Sequence, residues 1–298
     1  MKFSIIINKW ANFYFFVQNL SEWHFSYRKK YNEVWRNELE QLSADEESAL
    51  KKFREIRAQY KQSKTHFERA FYVAENPWKE LKNRLPAKEY DTILEIFNLF
   101  ENKFNKIYEK DLPFMIKWRE ALNRNINDPV LIKSITVILN TLYNTPPLTK
   151  EIKIYLLLSA SNQRGGGANI DEQSISVELS RQQFNQIESI IGLIWHETIH
   201  LCLEKIYFLQ VVNKKFPNDL DAFRLIKEVT VTALFPKGIL AQRFFQSKWN
   251  IIHAKIPPQY TKPILDIAES YVNQNKYFDD EYIEKIYSVT KQLKGVVK

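Results

Sequence analysis

The chain has one cysteine, Cys202, in 298 residues. That excludes an intrachain disulfide and any cysteine-based zinc cluster, and it fits a reducing compartment. Glycine is scarce as well, with six in the whole chain, while 14% of the residues are aromatic and 45% hydrophobic. A fibrous or disordered chain is therefore excluded, and a folded, helix-rich one is expected. No run of about 18 apolar residues occurs, so no membrane span is expected. The apolar stretch Phe3 to Ile7 is interrupted by Asn8 and Lys9. It is too short for a signal peptide and lacks a small-residue cleavage site, which makes the cytoplasm the expected location. A concentrated basic tract is also missing. The net charge is +8, from 43 Lys and Arg against 35 Asp and Glu. In the densest patch, Lys51, Lys52, Arg54, Arg57, Lys61, Lys64 and Arg69 alternate with Glu55 and Glu68. That mixture reads as the solvated face of a long helix, and no nucleic-acid partner is expected.

What the chain does contain is mostly helical periodicity. Phe3 to Ile7 reads as a short strand, and Asn12 to Trp23 as a helix. Ser43-Ala-Asp-Glu46 is a capping-box signature that opens a long helical region. Helices are expected over Lys88 to Tyr108 and Pro129 to Tyr143, punctuated by Pro77, Pro86 and Pro113. Thr145-Pro146-Pro147 stops this part, and the character changes. Ile152 to Ala160 is an apolar, strand-like run, and Ser174 to Leu179 alternates apolar and polar residues like a second strand. Between them Gly165, Gly166 and Gly167 hold half of all the glycines, which reads as a flexible loop. Ser180, with Gln183 at the capping-box position, opens a helix expected to run to about Lys214. Further helices follow over Asp219 to Leu234, Ile239 to Lys248, Lys262 to Asn273 and Asp280 to Leu293.

The informative segment is Ile194-Trp195-His196-Glu197-Thr198-Ile199-His200-Leu201. On a helix, residues four apart share a face, so His196 and His200 can present imidazole nitrogens to one zinc ion. Glu197 falls beside such an ion, where it can act as general base towards a water. Catalytic zinc takes a third protein ligand. The metzincin pattern is excluded, because Leu203 and Ile206 stand where its Gly and His would be. Glu204 shares the histidines' face but lies about 12 Å along the axis from His196, too far for one ion. Glu228 is the better candidate, an acid in the otherwise apolar stretch Leu225 to Phe235, where burial is costly without a partner or a metal. Asp219 and Asp221 suit a helix start, and Asp266 and Glu269 are more distant acids. His253, Tyr260 and Tyr271 are candidate donors to an oxyanion.

The stretch from Ile152 to Lys205 resembles the catalytic core of the gluzincins, the thermolysin-like clan of zinc peptidases. His196-Glu197-x-x-His200 matches their motif, and Glu228 matches the third ligand in kind. Its interval of 28 residues from His200 is longer than in thermolysin-like members. In outline the chain is also similar to predicted bacterial HExxH peptidases, in which an N-terminal strand and helix precede a helical region. The resemblance implies a single zincin-like domain over 1–298, with 24–145 a mainly helical region and 146–298 the catalytic core. The implied fold is α+β and mostly α-helical, with a small sheet of Phe3–Ile7, Ile152–Ala160 and Ser174–Leu179 packed on the HExxH helix. It implies one Zn2+ per chain and a peptide or protein substrate bound along an edge strand, with Gly166, Gly167 and Ala168 at the cleft.

The expected function is zinc-dependent peptide-bond hydrolysis, with His196, His200 and Glu228 as ligands and Glu197 as base. Two other readings compete with it. One is an inactive zinc- or peptide-binding regulatory protein, against which an intact Glu197 argues. The other is a helical nucleic-acid-binding protein with an accidental motif, whose binding would fall steeply with salt.

Overall fold

The structure, a computed structural model, describes residues 1–23, 29–60, 67, 69–158, 165–169, 173–179, 187–245 and 256–294. It is an α+β fold, mostly helical, with one small four-stranded mixed sheet. The chain divides into two compact units, and β1, β2 and one long helix each run from one unit into the other.

The first unit comprises Ile5–Ala121 and Lys153–Asn185. It holds α1 (Lys9–Leu20), α2 (Lys29–Glu38), α3 (Ala44–Gln59), a π-helical turn (Arg69–Val73) and α4 (Pro77–Lys82). Most of α5 (Ala87–Ile126) belongs to it as well. Asn8 caps α1 through Trp10 and Ala11, and Ser43 with Glu46 forms the expected capping box on α3. The core here is aromatic. Phe13 stacks on Phe104 at 4.3 Å, Tyr14 on Phe71 at 4.8 Å and Phe71 on Phe97 at 4.9 Å. Such pairs contribute about 0.5–1.5 kcal/mol each beyond the area they bury.

Two expectations are corrected in this unit. Pro113 lies inside α5 and does not end it. Arg57 leaves the solvated basic face for the core, 3% exposed, with its guanidinium 4.4 Å from the centre of the Phe67 ring and 5.8 Å from that of Tyr14. A guanidinium is weakly hydrated and stacks on aromatic faces, so it tolerates burial that a lysine would not.

The strands are β1 (Lys2–Ile6), β2 (Glu151–Leu158), β3 (Gly165–Asn169) and β4 (Ser174–Leu179), in the order β1-β2-β4-β3. β2 runs parallel to β4, Lys153 opposite Ser174, and β3 runs antiparallel, Gly165 opposite Glu178. The glycine segment is thus an edge strand where a loop was expected. Every residue of β4 is buried, so its alternating polar residues do not face water. Asn169 of β3 donates to Ser176 at 2.8 Å and Ser174 at 3.2 Å. A Cβ at Gly165 would come within 2.6 Å of the Glu178 carboxyl, so a side chain there would displace that group. α1 is fastened to β2 by buried Asn12, whose amide donates to the Leu156 carbonyl at 2.9 Å and accepts from the Leu158 N–H at 2.7 Å.

The second unit comprises Met1–Ser4, Leu122–Ile152 and Gln186–Lys298. Its helices are α6 (Pro129–Leu142), α7 (Ile187–Thr198), α8 (Phe208–Lys215), α9 (Leu220–Leu234), α10 (Ile239–Phe245), α11 (Pro258–Asn273) and α12 (Asp280–Thr290), the last continued by a 3-10 turn over Lys291–Leu293. α9 is central and packs against α7, α8, α10, α11 and α12. Its start is capped by Asp219, which accepts from the Ala222 N–H, and Asp221 lies in its first turn. No helix among the described residues is long and apolar enough to cross a membrane.

Replacing Asn12 by Ala leaves a buried carbonyl and a buried N–H of β2 without their partner. The variant is expected to lose about 2–3 kcal/mol of stability, measured by denaturant unfolding.

Candidate metal centre

Ile190, Ile191, Ile194 and Trp195 are buried on α7, and their spacing turns His196 and Glu197 into the second unit. Phe3 of β1 meets the Trp195 ring edge-on at 5.3 Å, and Phe235 stacks on it at 6.2 Å. The α-helix does not continue to Lys214 as expected. It gives way to a π-helical turn over Ile199–Leu203, in which the Glu204 N–H donates to the Ile199 carbonyl at 3.2 Å. His200 sits in that turn, and single π turns of this kind concentrate at functional sites.

The structure brings His196, His200 and Glu228 together. The two Nε2 atoms are 3.0 Å apart. Glu228 places Oε1 3.5 Å from Nε2 of His196 and Oε2 3.4 Å from Nε2 of His200. A tetrahedral zinc with ligands at its usual distances needs donor atoms about 3.3 Å from one another. The contacts between the two rings and from each ring to one oxygen of the carboxylate lie near that length, and one donor atom from each of the three residues lies within 4.8 Å of the others, so two imidazoles and a carboxylate fit the ion in number and type.

Each ring is supported from its far side. Nδ1 of His196 donates to the Phe235 carbonyl at 3.0 Å, which fixes the tautomer with the lone pair on Nε2. The approach depends on Gly192, one turn before His196, where a Cβ would sit 2.7 Å from the Pro236 carbonyl oxygen. Nδ1 of His200 lies 2.9 Å from Oε1 of Glu204, close but bent away from ideal hydrogen-bond geometry. Glu204 is too far from His196 to be a ligand of the same ion, but an imidazole has a second nitrogen to satisfy. The signal was present, since Glu204 is four residues beyond His200.

The electrostatics follow from this crowding. For His200, burial opposes the charged form, but the charge of Glu204, its contact with the ring, and Glu228 and Glu197 outweigh that and push its pKa up to about 10. His196 is also raised: burial and the His200 charge act against Glu228 and Glu197, and the acids prevail. Glu228 moves the other way. Burial works to raise it, yet the hydrogen bonds and charge of the two rings hold it well below the ordinary carboxylate range. Two Nε2 atoms 3.0 Å apart have room for one hydrogen between them.

Of the other residues singled out by sequence, His253 lies outside the described residues, as do His24 and His66. The Tyr271 hydroxyl donates to Asp279 at 3.0 Å, and that of Tyr260 to Gln292 at 2.8 Å. Asp266 pairs with Lys262 on α11 at 3.4 Å. Gly166, Gly167 and Ala168 lie on β3, in the other unit.

Gly192→Ala is expected to cost about 1–3 kcal/mol by overpacking α7 against Pro236, with a lower melting temperature. In the metal-free chain, the raised His200 contributes stability that is complete below its unfolded pKa of 6.5 and lost as pH rises through about 10. The depressed Glu228 contributes stability present above 4.5 and lost as pH falls below it. Zinc binding near neutral pH must displace the proton that His200, raised to about 10, holds there. Calorimetry in buffers of different ionisation enthalpy is expected to show release of about one proton per ion.

Comparison with protein-family models, with curated proteins and with solved structures finds no match, so the chemistry of this chain rests on its own residues.

Proposed function

We propose that the chain is a zinc-dependent peptidase of gluzincin type, with His196, His200 and Glu228 as ligands and Glu197 as general base. The observation that carries the reading is the convergence of two imidazoles and one carboxylate, with donor atoms within 4.8 Å of one another, from an HExxH segment and a following helix. Zinc held by these side chains supplies a Lewis acid and a water acidified towards neutrality.

The chain's own residues do the rest. Glu197 follows His196 directly, is 8% exposed, and its charge acts on both rings. It accepts the proton of the attacking water and afterwards delivers it to the leaving amine. Phe235 and Glu204 hold the rings, and α9 presents Glu228. The substrate class is a peptide bond.

The test is metal content and turnover of the full chain purified without added metal. About one zinc per chain is expected in the wild type, none in His196→Ala, and weakened binding in Glu228→Ala. Glu197→Gln is expected to keep its zinc and lose cleavage of a peptide library by about 10²–10⁴-fold. Zinc without turnover in the wild type would favour a regulatory zinc-binding protein. A wild type that takes no zinc when it is offered sinks the reading.

A further inference from the structure

Behind His200, on the side away from His196 and Glu228, lies Glu204. It is the most deeply buried carboxylate among the described residues, 0% exposed. Oε1 is 2.9 Å from Nδ1 of His200, and Oε2 is 3.6 Å from Nζ of Lys227. Neither oxygen has a well-formed hydrogen bond among the described residues. A carboxylate so placed is expensive, because water is gone and few donors replace it. The surroundings are not apolar, however. Tyr143, also 0% exposed, has a hydroxyl without a partner among the described residues, and it feels the charge of Glu204.

The two histidines are thus supported unequally. His196 leans on a neutral peptide carbonyl, whereas His200 leans on an anion. A carboxylate on the far nitrogen of an imidazole fixes which nitrogen bears the hydrogen, restrains the ring and makes the other nitrogen a better donor to a metal. Lys227 has its side chain 28% exposed, so it offsets Glu204 from the solvent side without displacing the ring.

We propose that Glu204 is a positioning residue of the metal centre: its buried carboxylate keeps Nδ1–H of His200 turned inward and Nε2 turned to the ion, while Lys227 offsets its charge. The proposal rests on the metal reading given above, and the sequence assigns Glu204 no such role, because eight residues separate it from His196.

The experiment compares the full-length wild type with Glu204→Gln and Glu204→Ala. Zinc affinity is measured by competition with a chromophoric chelator, and the imidazole N–H region of the NMR spectrum is recorded on the metal-free proteins. Glu204→Ala is expected to bind about 10–100-fold more weakly, and Glu204→Gln about 10-fold, with stoichiometry unchanged. The wild type is expected to show a slowly exchanging, downfield Nδ1–H resonance of His200, shifted in Glu204→Gln and lost in Glu204→Ala. If Glu204→Ala fails to fold, the near-isosteric Glu204→Gln decides. Wild-type affinity and an unchanged resonance in a folded Glu204 variant overturn the role of Glu204 alone. Absence of zinc binding by the wild type overturns the metal reading and this proposal with it, a result separate from the first.

Discussion

The packing of α7 against α9 and the turn that follows it governs the second unit. Gly192 removes the side chain that would hold the two apart, and Phe235 then reaches both the Trp195 ring and the Nδ1 of His196. With α7 at that separation, Glu228 on α9 comes level with the histidine pair. The apolar residues of α9, from Leu225 to Leu234, are buried around it, so the acid is carried to the rings by hydrophobic packing that owes nothing to the metal. An ion could not by itself order so many side chains. The framework does so, and leaves three donor atoms facing one point.

The parts of this arrangement that were legible in the sequence are those where one residue type has one physical use. The Ser43 and Glu46 pair could be read as a capping box, Asp219 as a helix start and His196 with His200 as one helical face. That Glu228 approaches the pair was readable because an acid in an apolar run needs a partner. Other features carry no such signal. Three consecutive glycines have no side-chain periodicity, so β3 looked like a loop until β4 was seen beside it. Arg57 counts as charge in any tally of the sequence, yet it packs on aromatic rings that come from distant positions. Pro113 lost its power to end a helix in a segment whose apolar stripe is buried on both sides of it, with Tyr108 at 7%, Met115 at 2% and Trp118 at 0% exposed.

Charge balance ties the centre together. Glu197, Glu204 and Glu228 gather around two imidazoles, and Lys227 lies 3.6 Å from Glu204. Three carboxylates in a buried space favour a positive occupant strongly, because their repulsion is poorly screened there. In the metal-free chain that preference shows in the raised pKa of both rings. A divalent ion brings more charge to the same place, which is why the surroundings that raise the histidines also suit a metal.

The pairing of Glu228 with the two rings has a consequence for the metal-free chain. Small zinc domains unfold when stripped, because their ligands repel or expose one another without the ion. Here the ligands neutralise one another, and the helices that carry them are packed independently of the site. On the zinc reading proposed above, removal of the ion would leave the packed helices in place.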